Sequence, residues 1–226
     1  MQEKIRIAVD GPAGAGKSTI AKIVSKELGI VYLDTGAMYR AVALKAIEDE
    51  IDTKDRTGLA QMVEQINIII DYLDGEQRIY LNDVDVTNRI RTPEISIGAS
   101  NVAAAPEVRL KMVDLQRTIS KKTNVVMDGR DIGTFVLPDA EFKFFLTASI
   151  EERALRRYKE QLAKGICNIS LEEVRKDIEY RDKNDSGRDF APLKKAADAI
   201  EIDTTSLSIE EVAQKIISSV KEKLKQ

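Results

Sequence analysis

The sequence contains no histidine. That absence excludes every Ser-His and Cys-His mechanism and every histidine-ligated metal. Proton transfer is left to carboxylates, and charge stabilisation to lysine, arginine and a hard metal ion. Cysteine is nearly absent. Cys167 stands alone, so neither an intrachain disulfide nor a thiolate zinc site is possible, and a reducing compartment fits. No apolar run approaches the ~20 residues that span a bilayer, and the opening "MQEKIRIAVDG" lacks the apolar core of a signal peptide. The expectation is a soluble cytoplasmic protein with no membrane partner. Charge of one sign is also lacking in excess: the net charge is −3 although 32% of residues are charged. With no stripe of interleaved basic and aromatic residues, this argues against a nucleic-acid partner.

What is present begins with the ligand-binding end of the chain. "DGPAGAGKST", residues 10–19, follows the apolar run "IRIAV" and fits G-x-x-x-x-G-K-[ST]. A triphosphate carries concentrated negative charge. Gly11, Gly14 and Gly16 let backbone N–H groups turn inward to meet it, and the helix starting near Lys17 adds its positive end. Lys17 reaches the β- and γ-phosphates, and the Ser18 hydroxyl is placed to ligate Mg²⁺. The loop residues Gly11, Pro12, Ala13, Gly14, Ala15, Gly16, Lys17, Ser18 and Thr19 are therefore the expected ATP cradle. The chain has no D-x-x-G switch or N-K-x-D base reader, so a GTPase is disfavoured. It has no Asp-Glu pair after a strand, which disfavours a motor ATPase. Small-molecule and nucleotide kinases remain.

With 226 residues, 43% of them hydrophobic, there is enough chain for one α/β domain with an insertion. "IRIAVD" (5–10), "GIVYLD" (29–34), "NVVMD" (124–128), "FKFFLT" (142–147) and "AIEID" (199–203) read as short buried strands. Helices are expected over 17–28 with Gly29 as C-cap, over 37–47 and 57–66, and as one or two helices across 93–120 broken near Pro106. Three later helices open on Ser149, Ser170 and Ser208, each followed by acidic residues. The β-α-β alternation implies a parallel sheet covered on both faces, a three-layer fold. "INIIIDY" and "RIYL" flank a turn at Gly75, and "NDVDVT" adds a further strand; this block reads as an antiparallel insertion over one end of the sheet.

Four segments bear on the phosphate acceptor: "LDTGAMYR" (33–40), "SIGASNVAAAPEVR" (96–109), "MDGRDIG" (127–133) and "RDKNDSGRDFAPL" (181–193). Taken singly each admits a plain reading. Arg40 and Arg109 read as solvated helix residues, Asp128 and Asp131 as turn formers, Arg181–Arg188 as a solvated loop, and "ERALRRYKE" as a charged surface helix. Beside a phosphate loop, several arginines after strand ends gain weight, because two anionic substrates must be held together against repulsion.

In order and together, "GPAGAGKST", "LDTGAMYR", "ASNVAAAPEVR", "DGRDIGT" and R-D-x-x-D-x-x-R-x-x-x-P-L make the chain resemble the bacterial cytidylate kinases, nucleoside monophosphate kinases of the P-loop class, from about residue 5 to 218. Ala13 and Ser18 depart from the family's usual loop, and Ser18 keeps a hydroxyl there. The resemblance implies a single P-loop kinase domain over 1–226 with about five parallel strands. It also implies an inserted nucleoside monophosphate-binding subdomain at 36–100 and a lid region at 151–190. It implies transfer of the γ-phosphoryl of MgATP to CMP or dCMP by a monomer. UMP or another small acceptor, and a non-catalytic nucleotide-binding switch, are the alternatives.

The residue roles follow from the same resemblance. Asp131 accepts from the cytosine amino group, which uracil lacks. Ser100 and Arg109 bond the rest of the pyrimidine. Thr35, Arg40 and Arg130 hold the acceptor phosphate, and Arg181 and Asp185 the ribose. Arg188 contacts phosphate between donor and acceptor, and Arg157 reaches ATP from the lid. Asp128 either holds a Mg²⁺-bound water or forms a turn. Lys17, Arg130, Arg181 and Arg188 are the candidates for catalysis.

Overall fold

The computed structural model describes residues 4–73, 75–163, 165 and 168–225; Cys167 lies outside them. The chain forms two compact units, Met1–Tyr32 with Thr123–Gln226, and Leu33–Lys122. It opens with strand β1 (Arg6–Asp10), helix α1 (Lys17–Leu28) and strand β2 (Val31–Asp34). The second unit follows, with α2 (Thr35–Glu48), α3 (Arg56–Gln65), β3 (Ile68–Leu73), β4 (Glu76–Leu81), β5 (Val84–Asp85), α4 (Pro93–Val102) and α5 (Pro106–Lys122). The chain then returns to the first unit through β6 (Val125–Gly129), a π-helical turn (Ile132–Val136), β7 (Phe142–Thr147), α6 (Ile150–Ala163), α7 (Leu171–Ser186), β8 (Ile200–Asp203) and α8 (Ile209–Lys223).

The first unit is built on a five-stranded parallel sheet of order β2-β6-β1-β7-β8. β1 is central: Val9 pairs with Asp128 of β6 on one side and Phe144 of β7 on the other. A central parallel strand has both faces covered, which is why Ile7, Ala8 and Val9 are all fully buried and unbroken by polar residues. α1 presents Ile20 and Val24, and α8 presents Val212, Ile216 and Val220, to one shared core with Ile7, Val9, Val126 and Phe144. Gly29 closes α1 in the left-handed conformation, φ 63°. Ser170 and Ser208 form full capping boxes with Glu173 and Glu211, and Ser149 Oγ accepts from the Glu152 amide at 3.2 Å.

Two local features depart from the sequence reading. The plain reading of Arg181–Arg188 as a solvated loop fails, because the helix read from Ser170 runs on as α7 to Ser186, with Val174, Ile178 and Asp185 on its buried face. Between β6 and β7 the chain makes a π-helical turn, in which the Asp131 carbonyl accepts from both Phe135 and Val136 amides. Phe135 of this turn meets Phe190 edge-to-face at 4.9 Å between ring centroids.

The second unit has its own core, centred on Met38, Val42, Leu59, Val63, Ile79, Val102, Val108 and Met112. β3, β4 and β5 form an antiparallel sheet, with Ile68 opposite Leu81, and the turn uses Gly75 at φ 78°. The 93–122 stretch divides into two helices. Pro106 begins the second, where a missing N–H costs nothing. The 36–100 segment lies inside this unit.

Candidate active site

The phosphate loop leaves β1 at the carboxyl end of the sheet, where open α/β sheets place their ligands. Gly11 is dictated by packing as much as by any ligand. At φ 148° its position leaves no room for a side chain, since a Cβ there would lie 2.1 Å from the Leu146 carbonyl oxygen of β7. Gly16 is the N-cap of α1 at φ 84° and provides no side-chain cap. The first amides of α1 therefore face the loop with the helix's positive end behind them, which is an anion site.

Lys17 is buried, and its Nζ donates to the Pro12 carbonyl at 2.6 Å. Its ammonium is held well below the ordinary lysine range, first by desolvation and then by the positive field of Arg130, with Asp128 acting the other way. Such a group gains most from an arriving polyanion. Ser18 Oγ donates to Asp128 Oδ2 at 2.7 Å, and Tyr32 Oη donates to Asp128 Oδ1 at 2.9 Å. Asp128 is thus a buried, oriented carboxylate at the end of β6, not a solvated turn former.

Beside it lies a charge cluster. Arg130 Nε donates to Asp185 Oδ2 at 2.7 Å, and Arg188 Nη1 is 3.9 Å from Asp185 Oδ1. Burial alone would raise the Asp185 carboxyl, but Arg130, Arg188 and Arg181 outweigh it and hold it below the usual carboxylate range. Asp131 is buried at the entry to the π-helical turn. Arg157 lies on α6, where its Nη1 pairs with Glu160 at 2.9 Å.

In the second unit, Asp34 caps α2 by accepting from the Ala37 amide at 2.9 Å, and its other oxygen accepts from Arg40 Nη2 at 2.8 Å. Burial raises this carboxyl, but Arg40 and the amide prevail and lower it overall. Thr35 is buried beside it. Ser100 on α4 is buried, and Arg109 on α5 is 1% exposed, so it is no solvated helix residue. Arg109 Nη1 donates to the Ala103 carbonyl at 3.2 Å, and its guanidinium lies 5.4 Å from the Tyr39 ring centroid.

A family model described as cytidylate kinase matches residues 7–222. The chain belongs to the cytidylate kinase family. It is 53% identical over 222 residues to a cytidylate kinase of Halalkalibacterium halodurans, covering 98% of this chain and all of the relative. It is also 53% identical over 220 residues to one from Bacillus cereus, covering 97% of each. A crystal structure of an uncharacterized protein from Eubacterium ventriosum shares the fold, at TM-score 0.52 and 15% identity over 97% of this chain and 99% of that one.

In this cytidylate kinase family chain, the first unit brings Lys17, Ser18, Asp128, Arg130, Arg181, Asp185 and Arg188 into one electrostatic neighbourhood. Thr35 and Arg40 share the N-terminus of α2. Two contacts beside these residues escaped the sequence reading. Arg153 and Asp182 grip the phosphate loop at Ala13: Asp182 Oδ1 accepts the Ala13 amide at 3.1 Å, Arg153 Nη1 donates to the Ala13 carbonyl at 2.9 Å, and the two side chains pair with each other. Arg153 looked like one more charge on a surface helix, and only its burial separates it from its neighbours. The second is Asp10, whose carboxylate accepts from the Ile132 and Gly133 amides.

Proposed function

We propose that this chain transfers the γ-phosphoryl group of ATP to CMP, giving ADP and CDP. The observation that carries the reading is the pairing of a complete phosphate loop, with its buried Lys17, to an arginine cluster braced by Asp185. Membership of the cytidylate kinase family supports the acceptor. The acceptor phosphate is already ionised, so attack needs no strong base, in keeping with a chain without histidine. Catalysis is positioning plus neutralisation of charge as the two phosphates approach.

Lys17 and the loop amides from Gly11 to Thr19 hold the ATP phosphates, and Arg157 contributes from α6. Ser18 and Asp128 present two oxygens 2.7 Å apart at the foot of α1, a donor set suited to a hard cation. Among the described residues no group of three or more metal-binding side chains exists, so a Mg²⁺ ion here would take most of its ligands from phosphate and water. Bound there, it would neutralise phosphate charge. Arg130 and Arg188 serve the transferring phosphates, with Thr35 and Arg40 on the acceptor phosphate. Arg181 and Asp185 hold the ribose, and dCMP is also accepted.

Asp131 reads the base. A carboxylate accepts from the 4-amino group of cytosine and repels the 4-oxo group of uracil, a discrimination of about 1–3 kcal/mol. Ser100 and Arg109 hold the remaining pyrimidine edge. No helix among the described residues is long and apolar enough to cross a membrane, and the reading is of a cytoplasmic monomer working on small nucleotides. The test is a competition of CMP, dCMP, UMP, AMP and dTMP in one coupled assay. CMP and dCMP are expected to be consumed first; a preference for UMP or AMP overturns the acceptor assignment.

A further inference from the structure

Asp10 closes β1, and across the parallel β1–β6 pair it lies opposite Gly129, one residue before Arg130. Its side chain is buried, and both oxygens are committed to the turn that begins just beyond Asp131. Oδ1 accepts from the Ile132 amide at 2.8 Å, and Oδ2 accepts from the Gly133 amide at 2.7 Å. These are the first two residues of the π-helical turn, whose leading amides have no partner within the turn itself. An aspartate in the position of Asp131 ordinarily supplies that cap with its own side chain. Here Asp131 makes no side-chain cap, and Asp10 caps the turn from the neighbouring strand.

We infer that Asp10 is a positioning residue for base selection: by capping Ile132 and Gly133 from β1 it relieves Asp131 of the capping role and fixes the direction in which the Asp131 carboxylate points. This rests on the reading of Asp131 as the base-sensing residue. Three observations support it. The two bonds are short and bidentate, so they fix the turn in orientation as well as in position. Gly133 packs closely against Asp10 and Lys143, where an added Cβ would lie 3.4 Å from Asp10 Oδ2 and 3.2 Å from Lys143 Cδ, so the turn and the carboxylate that caps it are in direct contact. Finally, burial raises the Asp10 carboxyl to about 7, so holding it there is costly and the two amides recover part of that cost. Both Asp10 oxygens are taken by turn amides and the residue is buried, so its part is to hold the turn rather than to bind substrate.

The experiment compares Asp10→Asn with Asp131→Asn and the wild type. An asparagine can accept one of the two amides but turns an N–H₂ toward the other. Relative kcat/KM for CMP over UMP is expected to fall about tenfold in Asp10→Asn, with KM for ATP changed by less than about twofold. Amide exchange at Ile132 and Gly133, followed by NMR, is expected to be slow in the wild type and to accelerate locally in the variant. The wild-type exchange measurement stands even if Asp10→Asn folds poorly: unprotected amides at Ile132 and Gly133 overturn the inference. An equal loss for CMP, UMP and ATP also overturns it, because that is what general loosening would produce. If Asp131→Asn leaves the CMP preference intact, the base-sensing reading itself fails. If Asp131→Asn abolishes the preference and Asp10→Asn does not, that reading stands and the role given to Asp10 is wrong.

Discussion

Arg130 and Asp185 form a buried ion pair at 2.7 Å, contributed by the end of β6 and the last turn of α7. The Asp185 carboxylate bonds Arg130 and lies 3.9 Å from Arg188, offsetting their mutual repulsion together with Asp182 and Asp128 nearby. Asp185→Ala removes the nearest counter-charge of both guanidiniums, so a loss of about 3 kcal/mol in unfolding free energy is expected in urea titrations. The sign with pH follows from the lowered Asp185 carboxyl. Its contribution is fully present above the ordinary aspartate range and disappears as pH falls through the depressed value. The stability gap between the wild type and Asp185→Asn is therefore expected to narrow in acid; a gap that widens contradicts the assignment.

Lys17 has the opposite energetics. Its burial and the neighbouring Arg130 disfavour its charge until a polyanion arrives. Lys17→Ala is expected to reduce kcat by about 10²–10³, while the melting temperature of the nucleotide-free protein stays level or rises. A marked fall in that temperature would mean that Lys17 is structural.

The grip on Ala13 predicts a selective defect. Arg153→Ala removes the donor to the Ala13 carbonyl and the partner of Asp182. KM for ATP is expected to rise about tenfold, in line with the loss of a charge-assisted hydrogen bond, with KM for CMP little affected. Steady-state kinetics with each substrate varied in turn separates this from a general loss of fold, which would move both.

Asp10 has its carboxyl raised by burial to about 7. The folded state therefore holds a proton that the unfolded chain releases near pH 4, and stability falls as pH rises between those values, by up to about 1.4 kcal/mol per pH unit. Denaturant melts from pH 4 to 8 are expected to show wild type losing stability relative to Asp10→Asn up to about pH 7 and levelling above. Wild type holding level with, or gaining on, Asp10→Asn across that range would show that the carboxyl is not raised.

The strands and most helices were legible because burial imposes periodicity: the unbroken "IRIAV" and the Ile20, Val24 face of α1 can hardly be read otherwise. The helix starts at Ser170 and Ser208 were legible through their capping boxes. The helix from Ser170 was legible through Asp185, but the burial of Asp185 was not, because "RDKNDS" carries no apolar periodicity and its partner Arg130 lies 55 positions back along the chain, outside any local window. The same reason hid Arg153 and Asp10, each of which is picked out by a partner distant in sequence. The candidate site was legible where a motif names its own chemistry, as at Lys17 and Ser18. It was illegible where one acidic or basic residue among many is selected only by packing.

The central claim is direct transfer between two bound nucleotides, and γ-labelled ATP tests it most directly. With CMP present, the label is expected to appear in the β-phosphate of CDP in step with the release of ADP, and to appear about 10²–10³ times more slowly in Lys17→Ala. Label recovered as inorganic phosphate with CMP left unchanged would contradict the account.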